Sequence, residues 1–235
     1  MFKQDDRFRV PTEDATIWRY MNFERFKDLV EREALYFCAI DKLKKEDPYE
    51  GSQYACKLLS QAPLLAAQQF AAQVSQCGPT IAVNCWHANE SDSVAMWKIY
   101  AGQGKSVALR SSFGRLVESL SCVSDDIHGG FITYTDEPIP HPTGAEGDKF
   151  MACMTKRKCF DFERELRTFV WDTSSVTRTD DGSAYMPVDL SRLIESVYVS
   201  PTAAGDTLGE ITSFLGERGL IVNVQKSSIL DQPPY

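Results

Sequence analysis

Residues 15–40 read ATIWRYMNFERFKDLVEREALYFCAI, and the succession of patterns in this stretch decides the fold class. Ile17-Trp18-Arg19-Tyr20 is short, aromatic and β-prone, which predicts a first strand. Asn22 carries a side-chain oxygen that can accept from a helix's first free N–H groups, so it predicts an N-cap. In the helix behind it Phe23, Phe26, Leu29 and Val30 share one face. Leu35 to Ile40 then returns as a second strand. Further along, Thr80–Trp86, Ser106–Arg110, Gly130–Thr135, Glu165–Trp171, Ser196–Ser200 and Leu220–Val224 predict strands. Helices are expected over 52–76 (divided at Pro63), after a Ser91 cap, over Phe113–Leu120, over about 149–160 and over Thr207–Arg218. The turn-rich stretch 136–149, with Pro138, Pro140 and Pro142, predicts a mobile loop. This mixed order predicts an α+β fold with a mixed or mainly antiparallel central sheet flanked by helices, not a doubly wound sheet. Residues 1–14 are expected as a flexible N-terminal arm and 15–230 as a single α+β domain.

Composition bounds the function. The chain has 235 residues, 43% of them hydrophobic and 25% charged, enough for a sizeable core. A formal charge of −8 argues against a broad phosphate-tracking surface. Seven cysteines in odd number, without any C-x-x-C pair, predict reduced thiols and a cytoplasmic location. No stretch approaches the roughly 18 apolar residues of a spanning helix, so no membrane partner is expected.

Three familiar signals fail on their spacing. Gly102-Gln103-Gly104-Lys105-Ser106 ends like a phosphate-binding loop, but Ile99 stands where the first glycine belongs, and the turn leaves a helix instead of entering one. His87, His128 and His141 lie in separate segments, and Cys153 and Cys159 have no local partners, so no metal site is expected. Cys85 beside His87 is more simply a structural thiol than half of a catalytic dyad.

Four segments are too polar for their hydrophobic surroundings. Arg19 interrupts the strand Trp18-Arg19-Tyr20, where a guanidinium suits a phosphate or carboxylate. Asp47-Pro48-Tyr49-Glu50-Gly51 combines turn residues with two carboxylates. Asn84, Trp86 and His87 precede a helix carrying Met96, Trp97 and Tyr100, whose aromatic face is either core or ligand platform. Lys156-Arg157-Lys158 precedes Phe162 to Arg167. An extended 163–167 would put Glu163, Glu165 and Arg167 on one face, where a carboxylate could be held for proton or ribose chemistry.

Together and in this order, Trp18–Tyr20, Asp47–Gly51, Cys85–Trp86, Met96–Ala101 and Lys158–Arg167 resemble the motifs of a large bacterial domain family of unknown function, over roughly residues 17–228. Asn84 stands where members of that family usually carry Ser. The order of elements is also similar to ADP-ribosyltransferases of the Arg/His–Ser–Glu type. That resemblance implies an NAD-dependent transferase or glycohydrolase, with Glu165 or Glu163 as the catalytic carboxylate and Arg19 holding the dinucleotide. Tyr20, Asn84 and Trp86 would line the NAD site with Arg110, Lys158 and Arg167, and Trp97 or Tyr100 would stack on a ring. The expected ligand is a small molecule or nucleotide, with nucleic acid as a candidate acceptor. Two other readings remain open. Arg19, Arg110, Lys156, Arg157, Lys158 and Arg167 could form a phosphate or nucleic-acid binding module, and Asp47, Glu50, Glu163 and Glu165 could gather Mg²⁺ in a nuclease.

Overall fold

The computed structural model describes residues 1–51, 81–102, 104–136, 150–171, 176 and 178–233. The helices expected within 52–76 and all but the first residue of the loop expected over 136–149, with His141, lie outside the described residues. The fold is α+β, built on a mixed, mostly antiparallel sheet. Among the described residues nine strands form that sheet. They are β1 (Thr16–Asn22), β2 (Ala34–Ala39), β3 (Ile81–Ala88), β4 (Ser106–Ser112), β5 (Ile127–Phe131), β8 (Glu165–Trp171), β9 (Ala184–Pro187), β10 (Ser196–Val199) and β11 (Asn223–Lys226). Two short strands, β6 (Thr133–Tyr134) and β7 (Thr155–Lys156), pair in parallel apart from it. The sheet runs in the order β11-β10-β4-β1-β3-β2-β9, with β8 pairing β3 and β5. The β1–β4, β1–β3, β2–β3, β4–β10 and β5–β8 pairs are antiparallel, and β10–β11 is parallel.

By internal packing the chain divides into two compact units. One comprises Met1–Val10, Tyr36–Cys85 and Ser124–Met186, the other Pro11–Leu35, Trp86–Val123 and Pro187–Tyr235.

The second unit holds most of the opening stretch. Asn22 caps α1 (Phe23–Arg32) by accepting from the Arg25 N–H at 2.9 Å, a bond that contributes about 1 kcal/mol. Phe26, Leu29 and Val30 are buried on one face, and Phe23 and Phe26 meet Phe214 of α6 (Thr207–Gly216). Glu33 ends α1 in the left-handed conformation at φ 49°. Ser93, not Ser91, caps the next helical segment, α3 (Val94–Met96). That segment widens at once into a π-helix over Trp97–Ala101, so Trp97 and Tyr100 are not spaced as on a regular α-helix. Gly102 and Gly104 then take positive φ in the turn into β4, a helix-to-strand turn as the spacing predicts.

The first unit has its own core, in which Phe8, Phe150 and Phe169 pack with Ile40, Val83 and Met154. Residues 1–10 join it through a Phe2–Ile127 bridge and through buried Phe8. Two expectations are corrected here. The strand expected over 130–135 is broken at Ile132, which still donates to the Glu165 carbonyl opposite it, whereas Thr133 donates to the Met154 carbonyl and starts β6 beside β7. The helix expected over 149–160 ends at residue 153, since Thr155 and Lys156 pair with β6. A 3-10 helix then covers Lys158–Glu163, closed by Arg164 in the left-handed conformation at φ 42°. Helix α4 covers Phe113–Ser119, and three short elements are unanticipated: β9, α2 (Ile40–Leu43) and α5 (Leu190–Leu193).

Gly129 lies opposite Thr168 in the β5–β8 ladder, and a Cβ there would come within 2.6 Å of the Arg167 carbonyl oxygen. Gly129→Ala is therefore expected to lower unfolding free energy by about 1–3 kcal/mol. Urea denaturation checks it through a lower midpoint at unchanged slope.

Candidate functional site

The first unit buries a set of charges that its sequence disperses over some 120 positions. The Asp47–Gly51 turn follows α2. The Asp47 side chain accepts from the Tyr49 N–H at 3.0 Å, and Gly51 takes φ 67°. This turn carries Asp47 and Glu50 inward, and both are buried. Strand β7 brings Lys156, the 3-10 helix brings Glu163, and β8 brings Glu165 and Arg167, all of them buried.

Arg167, with no exposed surface, forms the centre. Its Nε and Nη2 donate to the two carboxylate oxygens of Glu165 at 2.6 and 3.2 Å. Its Nη1 donates to Glu50 Oε1 at 2.7 Å and to the Cys153 carbonyl at 2.5 Å. The Lys156 ammonium lies 2.5 Å from Glu163, 2.9 Å from Glu165 and 3.7 Å from Glu50. Beside this set, Arg157 donates to Asp47 at 2.8 Å. The Tyr134 hydroxyl accepts from the Glu165 N–H at 2.7 Å. The Cys85 thiol lies beside the Glu165 carboxylate.

Glu163 reaches the cluster by a route other than strand alternation. Residue 163 is the last of the 3-10 helix, and left-handed Arg164 redirects the chain before β8 begins at Glu165.

The electrostatics follow from burial and partners. Burial works against the Glu165 carboxylate, but Arg167 and then Lys156 outweigh it and hold it well below the usual carboxylate range. Burial also works against the Lys156 ammonium, and Glu165, Glu50 and Glu163 overcome that, so it stays charged. Arg167 is raised in the same way by Glu165 and Glu50. Cys85 is pushed well up, by burial first and by Glu165 next, which keeps it a thiol. Tyr134 is raised by the same two causes and keeps its proton.

The other residues singled out in the sequence have these places. Asn84 is buried in the first unit, and its amide donates to the Tyr36 carbonyl at 2.9 Å. Lys158 is exposed at the start of the 3-10 helix. Arg19, Tyr20, Trp86, Trp97, Tyr100 and Arg110 belong to the second unit. There the Arg19 guanidinium lies 5.8 Å from the Trp86 ring centre, and Arg110 donates to Glu195 at 2.6 Å. Trp97 is buried edge-on to Tyr20 and donates its Nε1–H to Asp92 at 2.9 Å. The Tyr20 hydroxyl accepts from the Ser93 N–H at 2.8 Å. Tyr20 and Trp97 are therefore built into an aromatic core with Trp18 and Met96. Tyr134 stands in the sequence only within an expected strand, so no site role was assigned to it.

Comparison with known proteins finds no matching family model, no matching curated protein and no matching solved structure. Chemistry must be argued from the cluster itself. Among the described residues no group of three or more His, Cys, Asp or Glu side chains is placed to hold a metal ion. Nor is any helix among them long and apolar enough to cross a membrane.

Removing Arg167 would strand Glu50 and Glu165 without their main counter-charge. Arg167→Met is expected to cost about 3–5 kcal/mol of stability, measured by denaturant unfolding. The pH profile has a definite sign. Glu165 is lowered on folding from 4.5, so its contribution is complete above that value and fades as pH falls below it. Lys156 is raised from 10.5, so its contribution is complete below that value and is lost only as pH climbs beyond it. Thermal unfolding against pH should show a plateau between these limits and an acid limb, which Glu165→Gln flattens.

Proposed function

We propose that the buried cluster of the first unit is the reaction centre of an enzyme acting on NAD. It breaks the bond between nicotinamide and ribose and passes the ADP-ribosyl group to water or to an acceptor such as nucleic acid. The observation that carries this reading is the Glu165 carboxylate, held ionised away from water inside a cluster with an excess of acid. Asp47, Glu50, Glu163 and Glu165 face Lys156, Arg157 and Arg167, four carboxylates against three cations. Departure of nicotinamide builds positive charge on the ribose, and a fixed carboxylate in surroundings poor in water stabilises that charge. A low proton affinity suits this electrostatic role. A general base poised near neutral pH would need the opposite shift.

Arg167 and Lys156 orient the carboxylate in this scheme, and Tyr134 fixes the backbone from which it projects. A dinucleotide role for Asn84 of the same unit rests on the resemblance described above. The two other readings draw less support from the same contacts. A basic binding module needs cations without partners, yet Arg110, Lys156, Arg157 and Arg167 each face a carboxylate. A Mg²⁺ site needs carboxylates turned to one point, and these are turned to ammonium and guanidinium groups.

Nicotinamide release from NAD by the purified chain tests the proposal, with and without a nucleic-acid extract as acceptor. Glu165→Gln, checked for folding by circular dichroism, is expected to lower release by about 100-fold or more. Absence of release by the unaltered chain under both conditions would sink the reading.

A further inference from the structure

We infer that Asp47 and Arg157 form a receptor for a primary carboxamide beside the buried charge cluster. This deepens the NAD reading and rests on it for the choice of nicotinamide among carboxamides. Asp47 is the more deeply buried of the two, its side chain 4% exposed against 33% for Arg157. Its Oδ1 is taken twice over, accepting from the Tyr49 N–H at 3.0 Å and from Arg157 Nη2 at 2.8 Å. Among the described residues Asp47 Oδ2 and Arg157 Nε, both buried, meet no hydrogen-bond partner. These two open atoms belong to groups that already touch, so a carboxylate acceptor and a guanidinium donor stand side by side.

Buried polar atoms are stabilised by a partner, and these two select one. The pair suits a group that donates a proton to Oδ2 and accepts one from Nε. A carboxylate has no proton to give, and an ammonium or guanidinium cannot accept, so ions of either sign are disfavoured. A primary carboxamide carries an N–H donor and a carbonyl acceptor on neighbouring atoms of one plane. That matches an acceptor and a donor set on two neighbouring planar groups. The receptor is also held in place. The Arg157 guanidinium lies 4.7 Å from the Tyr49 ring centre and 5.3 Å from that of Phe160. Ring contacts of this kind leave the N–H groups, which point outward in the guanidinium's own plane, free to bond. Exposed Tyr49 and half-buried Arg157 give the approach from solvent. Lys156 lies 5.3 Å from the same Phe160 ring and 2.9 Å from Glu165, which links the receptor to the carboxylate proposed to stabilise the ribose.

NMR titration of the full chain tests the receptor with three probes that differ in one group on the same pyridine ring. They are nicotinamide, 3-acetylpyridine, which keeps the carbonyl but has no N–H, and nicotinate. Nicotinamide should bind about tenfold more tightly than either, the loss expected for one hydrogen bond to a charged group. In Asp47→Asn the Tyr49 N–H and Arg157 hold the amide oxygen at the Oδ1 position, which puts an NH2 group in place of Oδ2. Nicotinamide should then lose its advantage over 3-acetylpyridine. Arg157→Lys keeps the charge but lacks Nε, and should weaken nicotinamide and 3-acetylpyridine alike by about tenfold. The comparison of probes on the unaltered chain needs no variant, so it stands even where a substitution disturbs folding. No binding of nicotinamide, equal affinity for nicotinamide and 3-acetylpyridine (the result if the pair holds only water), or a preference that survives Asp47→Asn overturns the inference. A preference abolished by Asp47→Asn, with no NAD turnover by the unaltered chain, upholds the receptor and removes the NAD reading. NAD turnover with equal affinity for the amide and the ketone does the reverse.

Discussion

The guanidinium of Arg167 joins three parts of the first unit that lie far apart along the chain: Glu50 in a turn, Glu165 on its own strand and the Cys153 carbonyl at a helix end. A fully buried guanidinium is tolerable only when its donors are matched, and here the fork takes both oxygens of one carboxylate and one oxygen of a second. Lysine could not make these bonds from one position, because its ammonium is a single point of charge. Lys156 instead takes the place that a point charge suits, among three carboxylates.

The strand ladders around this group are shaped to its needs. Gly130 lies opposite Arg167 and Gly129 opposite Thr168, so the β5 backbone approaches β8 closely where the guanidinium leaves its strand. Glu165 owes its low proton affinity to Arg167 and Lys156, which outweigh the burial that the packed sheet imposes on it.

The regular elements were legible in the sequence, because they follow a period. Asn22 with its four apolar followers gave α1, and the run Glu165–Trp171 gave β8 with both ends correct. What escaped were breaks in periodicity. The π-helix at Trp97–Ala101 comes from one widened turn, and left-handed Arg164 occurs at a residue type with no intrinsic preference for that conformation. Strand β9 ends in Pro187, which reads as loop. At the site the sequence groups Glu163, Glu165 and Arg167 on one strand face, Glu50 with Glu163 and Glu165 only as metal ligands, and Lys156 with Arg167 only as a basic pocket. No reading sets Glu50 or Lys156 against its opposite charge. The pairing of Glu50 with Arg167 spans 117 positions and leaves no local signal.

That span also has a consequence for the order in which the first unit assembles. Closing so long a loop is entropically costly, and antiparallel ladders of distant segments form slowly. Until the Asp47–Gly51 turn docks, a collapsing chain must either keep Glu165 and Arg167 wet or enclose them with part of their partners missing. The charges therefore act as a checkpoint on assembly: dehydration of β8 becomes favourable only once the turn has arrived. Premature compact states that trap this strand are penalised by the same ions that complete the finished cluster.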